Sequence, residues 1–535
     1  QGFHASPGGE RALIEARGEI FSVPKEHGNT LNLSRSCGSR ERDAVWSPDG
    51  KYIAWLSDKD GEYQIYLSNG DGSRIKKLTG FKKGYRQNLK WSPDSKKIAF
   101  SDETLTLSYI DIDSGDITMV DKAEYEHVEI DLEDKPIYDA VWSPDSRYIA
   151  YSKMTADLVT RVFVYDCKTK QIHQISGDLF NDFHPVFSPC GSCLYFVSNR
   201  RFSPTYGDFE WELVYKNTSG IYSVTLQKEG APPLPPRNNE VGSEKDEPAA
   251  KKSEMPAIDF ESISSRVQAL PLPRGNYRFL SATKDHLFYL NKDKGDFNRF
   301  KFRAIGSMDL HAFSLVTRKE ESVIKGINSY KMTGDESHIV YRRGGSIGII
   351  PASARESAGK DVNLAGLTMR IDPHKEWLQI YNEAWRLERD FYYDPNMRGL
   401  DWKAIGEKYR TLLPHASSRR DLGYLIGEMI GELNTSHTYV YGGDSRRSGT
   451  RVPIGLLGAD YTVDEKHDLY RFKKIYDVAD WTQGVYPPLA GPGKQVEEGD
   501  YLLMLNNKQI TADKNIYQCF EHTAGQQVTI HVSPT

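Results

Sequence analysis

No run of about 18 apolar residues occurs in the 535-residue sequence, which argues against a membrane-spanning helix. The opening QGFHASPGGERALIEARG has neither a basic n-region nor an apolar h-region, so no signal peptide is read there. It reads as the middle of a repeat, and a natural start further upstream is expected. Neither sign of charge dominates: Lys+Arg is 69 against Asp+Glu 74, a net of −5, with none of the basic excess that marks nucleic-acid binders. Cysteine is scarce. Five in 535 residues do not make a disulfide scaffold. Cys190 and Cys193 form a C-x-x-C, but no second pair or neighbouring His completes a zinc site. There is no H-E-x-x-H, and His374, His415 and His437 lack ligand spacing, so neither metal nor cofactor is expected. The acidic stretch from Glu124, EYEHVEIDLEDKP, reads as a solvated edge. What remains is an ordinary globular composition, 38% hydrophobic and 27% charged, too long for one core; about three or four domains are expected.

One phrase recurs. WSPDGKYIAW begins at Trp46, WSPDSKKIAF at Trp91, WSPDSRYIAY at Trp142 and FSPCGSCLYF at Phe187, at spacings of 45, 51 and 45 residues. ASPGGERALIEARG at Ala5 is an earlier copy, and LSATKDHLFYLN at Leu280 and MTGDESHIVYRR at Met332 are weaker ones, giving seven. Pro presets φ and Gly takes the positive-φ position of a tight turn, after which an alternating strand follows. Four short strands per ~45 residues is a propeller blade, so seven copies predict seven blades. Cys190 and Gly191 then occupy the Asp-Gly positions of a hairpin turn, which explains CGSC without redox chemistry. Residues 228–262, rich in proline and mixed charge and nearly free of bulky apolar side chains, read as a disordered insertion at a blade edge.

After about Ala365 the period becomes helical. Trp377, Ile380, Tyr381, Ala384, Leu387 and Phe391 fall on one face of a first helix, ended by Pro395. Asp401 caps a second helix. A third, from about Ser418 to Leu433, carries the stripe Leu422, Leu425, Ile426, Met429, Ile430, Leu433. Gly423, Gly427 and Gly431 recur in that helix at a cost of about 1 kcal/mol each, which predicts a compensating close backbone approach. Asn434 suits the left-handed C-cap, so Thr435, Ser436 and His437 leave the end of a buried helix. From about Val452 the chain alternates again: a strand LYRFKKIY, a strand pair around the Asn506-Asn507 turn, a short helix capped by Thr511, and a last strand QVTIHVS. The fold class expected is mainly β and multidomain: a seven-bladed β-propeller over 1–362, a helical segment over 363–445, and a small PDZ-like α+β module over 446–535.

The SPDG-type blades resemble the TolB-like propellers. The three helices with GELNTSHTYV (Gly431–Val440), followed by VPIGLLGADY and EEGDYLLMLNNKQI, resemble the tricorn protease family, in which a propeller, a helical segment, a PDZ domain and a catalytic α/β domain follow in order. The resemblance covers nearly the whole chain. It implies a serine peptidase acting on oligopeptides, His437 as the catalytic base and Ser436 as its relay. It places the nucleophilic Ser and its carboxylate in a domain after the PDZ module, beyond residue 535, so this chain alone is expected to be inactive. It also implies a propeller channel that conducts peptides, a homo-oligomer, hexameric by the same resemblance, and the cytoplasm; a removed signal peptide would place the protein in a periplasm instead. Where relatives commonly carry Gly before Thr-Ser-His, this chain has Asn434.

The chemistry suits the residues. A hydroxyl needs a base with pKa near the working pH, and imidazole supplies one that itself needs an orienting partner. Whether Ser436 relays to His437 or is attacked through it stays open, because either role needs an irregular turn. Two other readings compete. Gly344–Gly348, GGSIG, matches a nucleophile elbow, but it lies in a hairpin rather than between strand and helix. A non-catalytic propeller-plus-PDZ scaffold that binds peptides or proteins needs no catalytic domain at all.

Overall fold

The structure, a computed structural model, describes residues 2–125, 139–201, 204–206, 213–214, 217–235, 255–292, 308–357, 359–444, 452–477, 487–490, 493 and 496–534. The chain divides into two compact units, Gln1–Gly442 and Gly443–Thr535. In the first, the described residues form seven successive antiparallel sheets over 3–32, 41–77, 86–122, 141–174, 182–269, 277–327 and 329–351. These are the blades of a seven-bladed β-propeller, numbered 1 to 7 below. Blades 1 to 6 have four strands and blade 7 has three. The outer edge of blade 7 is covered at 361–362, where Gly348 bridges Asp361 and Val362 N donates to Ile347 O at 2.7 Å. Blade 7 closes on blade 1 through Val340, Ile347 and Ile349 packed on Phe3, Ala5, Ile14 and Phe21.

The repeated phrase sets each blade by the same bonds. The Ser47 hydroxyl donates to the Asp49 carboxylate and accepts the Tyr52 N–H at 2.9 Å. Ser92 does the same with Asp94 and Lys97, and Ser143 with Asp145 and Tyr148. All three serines are fully buried beneath an exposed turn, and a hydroxyl satisfied on both sides is what lets each of them sit inside. Two of the tryptophans before these serines reach back one blade: Trp91 Nε1 donates to Val45 O and Trp142 Nε1 to Lys90 O. At the CGSC turn, Ser188 Oγ accepts the Cys193 N–H, and both cysteines are free, Cys190 exposed and Cys193 buried. GGSIG is a hairpin, with Arg343 paired to Ser346.

Blades 2, 3, 5 and 6 each carry a left-handed residue in the innermost strand: Asp43, Asn88, His184 and Phe279, with φ of 56, 62, 52 and 52°. Register shifts accompany them in the paired strands, the mark of β-bulges. Side chains of one blade accept the freed amides of the next: Glu15 Oε1 from Ala44 N at 2.8 Å, Asp139 Oδ2 from His184 N at 2.8 Å, and His184 Nδ1 from Phe279 N at 3.1 Å. They surround a central channel of about 1070 Å³ lined by the innermost strand of every blade. Burial pushes the His4 imidazole down to about 3, helped by Lys331, so it is neutral and its Nδ1 accepts from Trp46 N. Burial also lowers the Lys90 ammonium to about 8, against the pull of Asp139.

Much of the expected disordered stretch 228–262, and the acidic run after Tyr125, lies outside the described residues. The end of the former is packed: Ile258 is buried with Phe260 against the core of blades 4 and 5.

Three helices follow. α1 (Pro373–Phe391) is capped by Asp372, α2 (Trp402–Arg410) by Asp401 and α3 (Arg419–Gly431) by Ser418. Tyr381, Met397, Trp402, Leu413 and the predicted α3 stripe form their core, and Trp385 and Trp402 donate their indole N–H groups to each other's carbonyl. The glycine expectation is corrected. A Cβ at Gly427 or Gly431 would meet nothing within 4 Å, and at Gly423 only Arg419 at 3.7 Å. The glycine under close approach is Gly406 of α2, whose Cβ would meet Trp385 at 2.5 Å. A second face of α1, not foreseen, docks on blade 2. There Arg386 pairs with Asp58 and with Glu383 at 2.6 Å, and Glu383 also accepts from Arg40 and the Tyr63 hydroxyl, each at 2.8 Å.

In the second unit, strands Ala459–Asp464, Leu469–Ile475, Tyr501–Leu505, Lys508–Gln509 and Ile530–Ser533 form one sheet, with Asn506 and Asn507 both left-handed in the predicted turn. The single-turn helix Ile516–Cys519 is capped by Asn515, not Thr511, whose hydroxyl is engaged by Asp513. The Asx side chain next to the helix wins over the Thr five residues upstream. Leu457, Phe472, Leu502, Leu505, Ile510 and Phe520 are its core, a PDZ-like α+β arrangement.

Candidate active site

Leu433 is the last buried residue of the helical core. Beyond it the chain turns twice through left-handed backbone, at Asn434 (φ 48°) and at His437 (φ 62°). Asn434 is the predicted C-cap. Left-handed backbone is uncommon for a residue with a Cβ, though His is among those that enter it more readily, and here it supplies the irregular turn that either role of Ser436 requires. Ser436 and His437 are both exposed. Among the described residues no hydrogen bond joins their side chains, and neither side chain has another partner.

The turn is held at three points. Glu432 Oε1 accepts from Lys408 Nζ at 2.6 Å and from the Tyr409 hydroxyl at 2.7 Å, tying the end of α3 to α2. Those hydrogen bonds hold the Glu432 carboxyl below its usual range. Thr435 Oγ1 lies 2.6 Å from the Tyr392 hydroxyl at the end of α1 and donates to Leu433 O at 3.1 Å. Arg398 Nη1 reaches Asn434 O at 3.4 Å. Tyr439 and Tyr441 then stand 74% and 89% exposed, an aromatic run that nothing described covers.

The end of α1 is in turn fixed to the propeller. Arg389 makes a two-pronged contact with Glu62 at 2.6 and 2.9 Å, and Phe391 packs edge-on against Tyr85 with centroids 5.3 Å apart. Sequence reasoning named Ser436 and His437 and missed Tyr392, Glu432 and Arg398. The signal was weak: a hydroxyl directly after a helix end, in FYYDPN, 43 residues from its partner. Among the described residues no group of three His, Cys, Asp or Glu is placed to hold a metal, and no helix is long and apolar enough to cross a membrane.

Residues 1–353 match the Tricorn protease second beta propeller domain, 373–431 the Tricorn protease C1 domain and 455–535 the Tricorn protease PDZ domain. None of the three matched ranges includes Ser436 or His437. Tricorn protease homolog 1 of Streptomyces coelicolor is 24% identical over 98% of this chain and 50% of its own length. Tricorn protease homolog of Saccharolobus solfataricus is 25% identical over 95% of this chain and 45% of its own. Tricorn protease of Thermoplasma acidophilum is 25% identical over 91% of this chain and 47% of its own. The chain spans about half the length of the curated relatives it matches. A crystal structure of the tricorn protease superposes with a TM-score of 0.84 at 21% identity, covering 100% of this chain and 50% of that one, which speaks to the fold.

Proposed function

The chain belongs to the tricorn protease family, and from that membership we propose that it is the propeller, helical and PDZ portion of a serine peptidase that degrades oligopeptides. His437 is the general base, Ser436 is its relay by the family resemblance, and the nucleophilic Ser comes from a part of the protein outside these 535 residues. The observation that carries the assignment is the tied turn that presents His437. That residue is exposed and left-handed at φ 62°, and it ends a turn tied down at Glu432, Asn434 and Thr435. Left-handed backbone alone does not mark the site, since the exposed His522 adopts φ 61° as well; what sets His437 apart is the three ties that hold the turn before it. The channel through the propeller supports a second part of the proposal, that peptides pass along it.

The test is His437→Ala in the complete protein. Deleting the base leaves the Ser nucleophile protonated and lowers kcat by about 10⁴- to 10⁶-fold. Removing an exposed side chain alters stability by only about 0.5 kcal/mol, so a melting curve and a peptidase assay separate the two effects. Turnover at the parental rate would sink the assignment and leave the turn a structural cap.

A further inference from the structure

Resting on the reading of His437 as the base, we infer that Tyr392 and Thr435 are positioning residues for it, coupling the base to the propeller. Thr435 Oγ1 gives its single proton to Leu433 O at 3.1 Å, so the 2.6 Å contact with Tyr392 is donated by the tyrosine hydroxyl. This bond fixes the chain two residues before His437, between the left-handed residues Asn434 and His437. L-residues with a Cβ resist that conformation and relax from it when released. Ser436 and His437 have no side-chain hydrogen bond among the described residues, so the placement of the imidazole depends on this backbone. Thr438 follows suit, its hydroxyl donating to Thr435 O at 3.2 Å.

Tyr392 is itself a fixed point. It caps α1, its N–H donating to Glu388 O at 3.0 Å. One residue earlier Phe391 packs on Tyr85, and three residues earlier Arg389 grips Glu62, both on the propeller side. The connection therefore runs from Glu62 and Tyr85 through the last turn of α1 to Tyr392, across one hydrogen bond to Thr435, and on to His437. Its function is to hold the base at one angle to its reaction partner, where a displacement of about 1 Å can cost about 100-fold in rate.

The experiment compares Tyr392→Phe, Thr435→Val, Thr435→Ser and His437→Ala in the complete protein, using steady-state hydrolysis of a fluorogenic oligopeptide and thermal melting. Tyr392→Phe and Thr435→Val should lower kcat by about 10- to 100-fold with KM within about twofold. Thr435→Ser keeps the hydroxyl and should restore kcat to within about threefold. A purely structural role would move melting and KM together with kcat. Parental kcat in Tyr392→Phe and Thr435→Val beside an inactive His437→Ala overturns the inference and leaves the base assignment standing. Parental turnover in His437→Ala overturns both. Should Thr435→Val fail to fold, Tyr392→Phe and Thr435→Ser decide the matter alone: parental kcat in Tyr392→Phe, or an unrescued Thr435→Ser, overturns it.

Discussion

Glu383 is buried between α1 and blade 2, and its two oxygens are divided among Arg40, Tyr63 and Arg386. Burial alone would raise its carboxyl pKa. Arg40 and Arg386 outweigh burial and hold it below its ordinary 4.5. A depressed carboxylate stabilises the fold fully above the unfolded value and ceases to do so as pH falls through the folded one. Glu383→Gln should therefore cost about 1.5–3 kcal/mol at neutral pH, the worth of hydrogen bonds to charged groups. The deficit should be constant from pH 7 to about 5, begin to shrink below about 4.5 as the unfolded chain takes up the proton, and close once pH has fallen through the lower folded value. Urea melts of both proteins at pH 7 and in the acid range test it. A deficit that does not shrink in acid would mean packing, not charge, holds α1 to the propeller.

At the scale of the elements, what could be read in the sequence was what repeats or caps. The Ser-Pro-Asp turns, the α3 stripe, Asp401, Asn434 and the Asn506-Asn507 turn each follow from local chemistry, and the structure has them in place. Ser436 and His437 were visible because they are neighbours in GELNTSHTYV. Their support was not: Tyr392 meets Thr435 across 43 residues, and Arg386 meets Asp58 across 328. A helix wheel also hid the second buried face of α1, because Glu383 and Arg386 read as solvent-facing until a partner with opposite charge is placed beside them. The α3 glycines failed in the other direction, since small size was taken for crowding. With no atom within 4 Å of a Cβ at Gly427, Gly427→Ala should raise stability by about 0.5–1 kcal/mol through helix propensity and a less free unfolded chain. Thermal melting of this chain checks it, and a lower midpoint would show that the site is more crowded than the structure has it.

Across the whole molecule, the bulges and their carboxylate and imidazole partners turn the innermost strands into a polar wall around one channel. At the bulged strands Asp43 accepts from Asn88 N and His184 from Phe279 N, each in the next blade. Lys331, exposed in blade 7, and the half-buried Lys90 of blade 3 both line the passage. If peptides reach the base by way of this channel, narrowing it should slow long substrates and spare short ones. Lys331→Trp adds bulk there without demanding left-handed backbone, and Lys331→Met removes the charge at similar length. In the complete protein, Lys331→Trp should lower kcat/KM for peptides of several residues by roughly tenfold, about 1.4 kcal/mol of barrier, while a blocked dipeptide substrate keeps its parental value. Lys331→Met should leave both nearly unchanged if width is what matters, and should slow acidic peptides selectively if the cation draws them in. A kcat/KM for long peptides that Lys331→Trp leaves at the parental value would mean that substrate arrives by another route and that the channel is closed to it.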